Sequence, residues 1–340
     1  MTRTTATMML LCAAFFWGAG NVANKTVLAH VEPLTAVSLR CLIAAIVIAP
    51  FALRELRRFP GWAWVKSAMG LSVLFAAALA VQQIAFISTS VTNASFLVNT
   101  CVIITPLIAW LCLKERPGLT VIAAATVTVG GAFLMIGGDL SIAALNRGDL
   151  ACFWSAIFYA GWTVALGHHV VTHQRPYATS LVQFGVSAAL LIPLSFAFEA
   201  PTLRGIGNAW RELVVLGLFS TGAAFVLQTH AQQFVSSSTA AVLVSAESLF
   251  GAAGGYLLLG ERTPVYGVCG AALILVGIII AATGSKMLKP MTHTLQASDR
   301  DLSRDQTFDL GSFRASRWAL QTRVVPTVQS NIAINQSKGR

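Results

Sequence analysis

The sequence predicts an all-α polytopic membrane protein with ten transmembrane helices in two inverted five-helix repeats. Three observations carry that prediction. The chain of 340 residues is 56% apolar and only 11% charged, with a mean hydropathy of +0.71, whereas a soluble domain carries about 25% charged residues. Ten stretches approach the roughly 20 apolar residues that a helix needs to cross a bilayer core. Finally, residues 82–131 match residues 228–277 under a single gapless offset of 146.

The charge deficit is uneven. Residues 285–340 hold nine of the 23 Lys/Arg and four of the 13 Asp/Glu, so the preceding chain is poorer still. About half of the net charge of +10 belongs to this tail, and loop topology accounts for the remainder. No nucleic-acid partner is expected from it. The tail is read as cytoplasmic and largely disordered, because it has few apolar residues for its length. Its Arg314, Arg317 and Trp318 can rest on an anionic leaflet. The six cysteines (Cys12, Cys41, Cys101, Cys112, Cys152 and Cys269) all fall in apolar stretches without a CxxC pair. They read as small core hydrophobes.

Residues 1–7 form a short N-terminus, and the first span covers 8–25. Arg3 ahead of an apolar run resembles a signal peptide, but no small-x-small site ends the run, so the span is retained. The second span, 34–53, follows Glu32-Pro33 and ends before Arg57-Arg58-Phe59-Pro60. The third covers 64–84 and the fourth 92–112, closed by Lys114-Glu115-Arg116-Pro117-Gly118. The fifth, 119–137, completes a first repeat over 8–137. A linker, 138–148, leads to Asp149, which reads as the N-cap of the sixth span, 149–168. Spans at 179–198, 212–230, 238–259 and 265–284 complete a second repeat over 149–284, ahead of the tail at 285–340.

Lys and Arg favour cytoplasmic loops. With the N-terminus inside, ten basic residues flank the inner ends and five the outer: Lys25, Arg147, Arg204, Arg211 and Arg262. Both termini are therefore expected in the cytoplasm, with the chain in the cell (inner) membrane.

Under the 146-residue offset, Glu115-Arg116 falls on Glu261-Arg262, Leu97-Val98 on Leu243-Val244, Gly131 on Gly277 and Gln82 on Gln228. Each repeat has an odd number of spans, so the second enters the membrane from the opposite side. Inverted repeats are the architecture of secondary transporters, with the site near the midplane where the halves meet.

The chain resembles an EamA-type member of the drug/metabolite transporter superfamily. In the first half the resemblance rests on "FFWGAGNVANK" at 15–25, on Pro33 and Arg40, and on "NASFLVNTCVIITPLIAWLCLKERPG" at 93–118. In the second it rests on "RGDLACFWSAIFYAGWTV" at 147–164 and "TAAVLVSAESLFGAAGGYLLLGERT" at 239–263. It implies a central cavity lined mainly by helices 1–4 and 6–9, and export of amino acids, metabolites or drugs. The family often has Glu-Pro where this chain has Glu247-Ser248, so a weaker kink is expected in the ninth span. The seventh span also has no arginine to match Arg40.

Glu247 is the leading site candidate. An acid at mid-span costs roughly 2.5–3.5 kcal/mol on insertion scales. Either it faces a wet cavity, where it couples transport to protons or holds a cationic group, or it is a neutral packing acid beside Gly251 and Gly255. Arg40 either holds a carboxylate or snorkels outward. Trp17, Asn21 and Lys25 form one stripe of the first span, with Trp17 and Asn21 as cavity lining. Ser155, Tyr159 and Trp162 form a comparable face of the sixth, unless they are interface aromatics. Gln82 and Gln228 offer paired amides to a polar ligand, or sit in loop mouths. Asn99, with Ser95 one turn earlier, gives the fourth span a polar face.

His168, His169 and His173 form the one metal-like cluster, and no acid or second histidine box accompanies them. No metal or cofactor is expected. "GAGNVANK" lacks the P-loop spacing, so no nucleotide drives the protein. The reading is a secondary transporter, an exporter of a small organic solute by alternating access, proton-coupled or an exchanger. Its partners are the solute, membrane lipid and a second copy of the chain as a candidate. A membrane-embedded enzyme lacks paired acids, and a scaffold leaves the polar faces unexplained.

Overall fold

In the computed structural model the described residues are 2–89, 91–135, 146–259 and 265–284, and no strand occurs among them. α1 (Arg3–Thr26) continues into a 3-10 turn, Val27–Ala29, and is followed by α2 (Pro33–Glu55) and α3 (Trp62–Ala85). α4 (Val91–Asn99) and α5 (Cys101–Leu113) share the fourth expected span, and α6 is Leu119–Met135. The second half opens with α7 (Arg147–His173) and α8 (Pro176–Phe198). The short helices α9 (Leu203–Asn208) and α10 (Trp210–Val215) lead through a π-helical segment, Leu216–Ala223, into α11 (Ala224–Ala231). α12 (Ser237–Val244) and α13 (Glu247–Leu259) share the ninth span, and α14 is Val265–Gly284.

Eight of the described helical stretches are long and apolar enough to cross a membrane, and Leu119–Met135 is a shorter apolar helix. The α12–α13 pair, in pieces of 8 and 13 residues, is not among the eight. Outward surfaces carry large apolar side chains such as Ile46, Leu111, Leu257 and Val268, whereas the core between helices is rich in Ala, Ser and Thr. This is the pattern of helices that associate in lipid by close packing of small residues.

Helix pairing shows the inversion directly. α2 packs on α8, and the start of one meets the end of the other: Glu55 bonds to Ala178, and Thr35 to Glu199. α6 packs on α14 in the same antiparallel sense, with Gly131 against Gly270 and Gly284 against Thr120. In both cases the partners are equivalent elements of the two repeats, so equivalent helices run in opposite directions. α2 and α8 also match internally. Each has Pro in its first turn (Pro33, Pro176) and a second Pro inside (Pro50, Pro193). That alignment puts Gln183 at the position of Arg40.

The fourth and ninth spans break at matched points. Thr100 separates α4 from α5, and Ser245-Ala246 separates α12 from α13. At both breaks the backbone tightens to i→i−3 bonds: Thr100 N–H to Leu97 O, and Ser245 N–H to Val242 O. A hydroxyl supports each. Thr100 Oγ1 donates to Leu97 O at 2.6 Å and Ser245 Oγ to Val242 O at 2.5 Å. Such back-bonding bends helices. The break in the ninth span therefore forms here without a proline after Glu247.

Candidate functional site

The two repeats enclose a small central cavity of about 60 Å³. α1, α2, α3 and the α4–α5 pair supply one side; α7, the π-helical segment, α11 and the α12–α13 pair supply the other. Gly18 brings α1 against the backbone of α13. A Cβ at Gly18 would sit 2.7 Å from both Glu247 O and Gly251 N.

A chain of hydrogen bonds crosses the cavity wall from one repeat to the other. Asn21 Nδ2 donates to Glu247 Oε1 at 2.8 Å. Asn24 Nδ2 donates to Asn21 Oδ1 at 3.4 Å, and Arg40 Nη1 donates to Asn24 Oδ1 at 2.7 Å. Arg40 Nε donates to Thr221 Oγ1 at 2.7 Å in the π-helical segment. A buried guanidinium and a carboxylate are thus joined through two amides of α1. Each charge has a partner, as burial demands. The broken ninth span places Glu247 in the first turn of α13, where the helix dipole favours an anion. The π-helical turn holds Thr221 in reach of Arg40, and Gly217 makes room, since a Cβ there would sit 2.6 Å from the Ile43 side chain. Irregular turns of this kind are common at functional sites.

Beside the charged strip the lining is aromatic. Trp17 packs on Phe225 at 4.8 Å, and Phe225 meets Trp162 edge-on at 5.4 Å. Tyr159 lies edge-on to Trp162 at 6.3 Å, and its hydroxyl donates to Gln82 Oε1 at 2.8 Å. Three buried polar atoms on the lining have no protein partner among the described residues: Trp17 Nε1, Ser220 Oγ and Gln228 Oε1. Native proteins leave few such groups unpaired. The cavity therefore offers donors, acceptors, both signs of charge and a flat apolar surface.

The EamA-like transporter family model matches residues 4–137 and again 146–283, one copy per repeat. The chain belongs to this family. EamA-like relatives similar to it include the uncharacterized transporter YwfM of Bacillus subtilis (strain 168), 29% identical over 293 residues, covering 83% of this chain and 95% of that one. An uncharacterized transporter of Archaeoglobus fulgidus is 27% identical over 282 residues, covering 82% and 86%. The uncharacterized inner membrane transporter YicL of Salmonella typhimurium is 24% identical over 292 residues, covering 82% and 95%. A solved crystal structure shares the fold, with a TM-score of 0.68 at 19% identity over 82% of this chain and 97% of that one. The protein is a multi-pass membrane protein of a transporter family.

Of the expected site residues in this EamA-like chain, Trp17, Asn21, Arg40, Gln82, Trp162, Gln228 and Glu247 all line the cavity. Arg40 is 3% exposed and turned inward rather than snorkelling. Trp162 contributes its ring, because its indole N–H is used on Gln183 Oε1 at 3.2 Å. Asn99 does not line this cavity: it is buried at the α4–α13 contact, where its amide meets Ser248 Oγ. The side chain of Ser95 lies outside the described residues, as do Glu261-Arg262, the surroundings of Gly255 and the tail.

Lys25 also points elsewhere. Its ammonium donates to Phe86 O at 2.6 Å and Thr89 O at 3.0 Å, closing the end of α3. Asp149 is the third residue of a capping box whose N-cap is Asn146, and it also accepts from Thr89 Oγ1 at 2.5 Å. His169 is a core residue between Ser67 Oγ (2.9 Å) and Thr179 Oγ1 (3.1 Å), while His168 is exposed. Among the described residues no group of three His, Cys, Asp or Glu is placed to hold a metal ion.

Asn24, Ser220, Thr221 and Phe225 were not singled out from the sequence. For Asn24 the signal existed. Trp17, Asn21 and Asn24 stand at i, i+4 and i+7, a tighter helical face than one ending at Lys25. Thr221 had no such signal, because its position depends on a π-helical turn.

Proposed function

We propose that the chain is a secondary transporter that moves a small organic solute, an amino acid, metabolite or drug-like compound, outward across the cell membrane by alternating access. Both termini lie in the cytoplasm in this reading, and Glu247 carries the coupling proton. The observation that carries it is the Glu247–Asn21–Asn24–Arg40 chain across the repeat boundary on the wall of the central cavity. A solute with a cationic or proton-donating group competes with Asn21 for Glu247, and one with an anionic group competes with Asn24 for Arg40. Either exchange loosens a bond that ties one repeat to the other. The aromatic wall accepts the apolar part of the solute. Two near-equivalent halves supply two packings of similar energy, as rocking requires.

The test is a solute screen on everted vesicles with an imposed proton gradient, comparing wild type with Glu247→Gln. Uptake of a solute class by wild type, lost in the variant, supports the reading. Equal gradient-driven uptake by both would remove Glu247 from coupling, and no uptake of any solute would remove the exporter assignment.

A further inference from the structure

A second polar pocket, of about 370 Å³, lies where α2 ends and α8 begins, lined by Arg54, Glu55, Arg57, Arg58 and Arg175. Four guanidinium groups face one carboxylate. That carboxylate is already engaged, since Glu55 Oε2 accepts the Ala178 N–H at 2.9 Å. Arg175 Nη1 donates to Glu55 O at 3.0 Å and Arg58 O at 2.8 Å, which fixes the pocket floor. The side chains of Arg54, Arg57 and Arg58 have no hydrogen-bond or ion-pair partner among the described residues. The pocket has a strong excess of positive charge, with no further acid lining it among the described residues.

Its surroundings are apolar and outward-facing. Phe59 and Trp62 are 65% and 71% exposed and pair edge-on at 5.5 Å beside the arginines. Phe51 and Leu53, on the turn of α2 just before Arg54, are also exposed. Aromatic side chains at this depth sit at the headgroup level of a bilayer. Guanidinium forks match phosphate oxygens in bidentate fashion.

We propose that this pocket binds the phosphodiester headgroup of an anionic phospholipid, with the acyl chains lying along Phe51 and Leu53. A soluble phosphate has the same headgroup chemistry but makes no use of the exposed apolar flank, so the lipid is the occupant. Arg54, Arg57 and Arg58 come from the first repeat and Arg175 from the second, so the lipid bridges the repeats. The inference does not depend on what the central cavity carries.

Purified full-length protein is titrated with phosphatidylglycerol, phosphatidylcholine or sn-glycerol 3-phosphate. Binding is read by native mass spectrometry, and by quenching from brominated phosphatidylglycerol in wild type against Trp62→Phe. Phosphatidylglycerol is expected to bind about tenfold tighter than phosphatidylcholine, with quenching that falls in Trp62→Phe. The triple variant Arg54→Gln/Arg57→Gln/Arg58→Gln loses that preference. Arg204→Gln/Arg211→Gln, in α9 and α10 beyond the other end of α8, keeps it. Should the triple variant fail to fold, Arg57→Gln alone is expected to lose about threefold. Equal binding of the two lipids by wild type overturns the proposal, as does a preference retained by the triple variant or lost equally in the control pair. Binding of sn-glycerol 3-phosphate as tight as that of the lipid would make this a soluble-anion site and overturn it too.

Discussion

The amide of Asn21 donates to the carboxylate of Glu247 at 2.8 Å, across 226 residues of sequence and the boundary between the two repeats. Asn21 is itself the acceptor for Asn24, which holds Arg40. A change at Asn21 therefore reaches both charged groups, while a change at Glu247 need not.

This separates two variants that look alike on paper. Asn21→Leu leaves the Glu247 carboxylate and the Asn24 amide without their partner, which costs about 1–3 kcal/mol, and transport falls with stability. Glu247→Gln retains an oxygen that can accept from Asn21 and removes an acid from mid-span, so its melting temperature in detergent stays close to that of wild type. Gradient-driven flux in the Gln variant collapses, while solute exchange without a gradient survives. A Gln variant as unstable as Asn21→Leu would make Glu247 a structural acid.

Gly18 sets the depth of α1. A methyl group there would lie 2.7 Å from Glu247 O and Gly251 N, both backbone atoms, so α1 or α13 must move. Gly18→Ala is expected to cost about 1–3 kcal/mol through overpacking, with loss of transport. Gly185, in α8, has nothing within 4 Å of its would-be Cβ. Gly185→Ala is expected to be neutral or to stabilise by up to about 1 kcal/mol, the helix propensity difference. Thermal melts of both variants decide it, and equal effects would contradict the close approach.

Cysteine accessibility maps the cavity. In a cysteine-depleted background, Gln82→Cys and Gln228→Cys should react with a polar thiol reagent and be protected by solute, because both positions line the cavity. Asn99→Cys should react slowly, being buried against Ser248. Leu273→Cys, on the outward face of α14, should react only with an apolar reagent. Solute protection at Asn99 but not at Gln228 would move the site.

Much of this was legible in the sequence, for identifiable reasons. Apolar runs locate spans because lipid tolerates little else, and the 146-residue offset pairs Gln82 with Gln228, which both line the cavity. Glu247 stood out because an acid in such a run needs a reason. The break at Thr100 was hidden, since hydropathy runs on through it and a single hydroxyl supports the bend, whereas in the ninth span only the family resemblance pointed to a kink near Glu247. Asn99 was misleading in the same way: a polar residue on a span face can be satisfied by a neighbour such as Ser248 without touching the cavity. Thr221 was invisible because a π-helical turn breaks the 3.6-residue register.

The last prediction concerns the two ends of the α2–α8 pair. Glu199, at the end of α8, accepts from Leu34 N (2.7 Å), Thr35 N (2.8 Å) and Thr35 Oγ1 (2.7 Å), capping the start of α2. Glu55, at the end of α2, accepts from Ala178 N at 2.9 Å, capping the start of α8. Each helix is thus closed by a carboxylate from the other, and a carboxylate at a helix N-terminus is favoured by charge as well as by hydrogen bonding. Glu199→Ala and Glu55→Ala should each cost about 1–2 kcal/mol, the range for a lost N-cap. Glu199 should cost more, since it serves three donors. The caps are about 33 Å apart, at 1.5 Å per residue along a 23-residue helix. At that distance the double variant should be additive within about 0.5 kcal/mol. If α2 and α8 slide as one unit during the transport cycle, losing one cap would already release the other. The double variant would then be no worse than Glu199→Ala alone, and the caps would be coupled latches rather than independent end-stops.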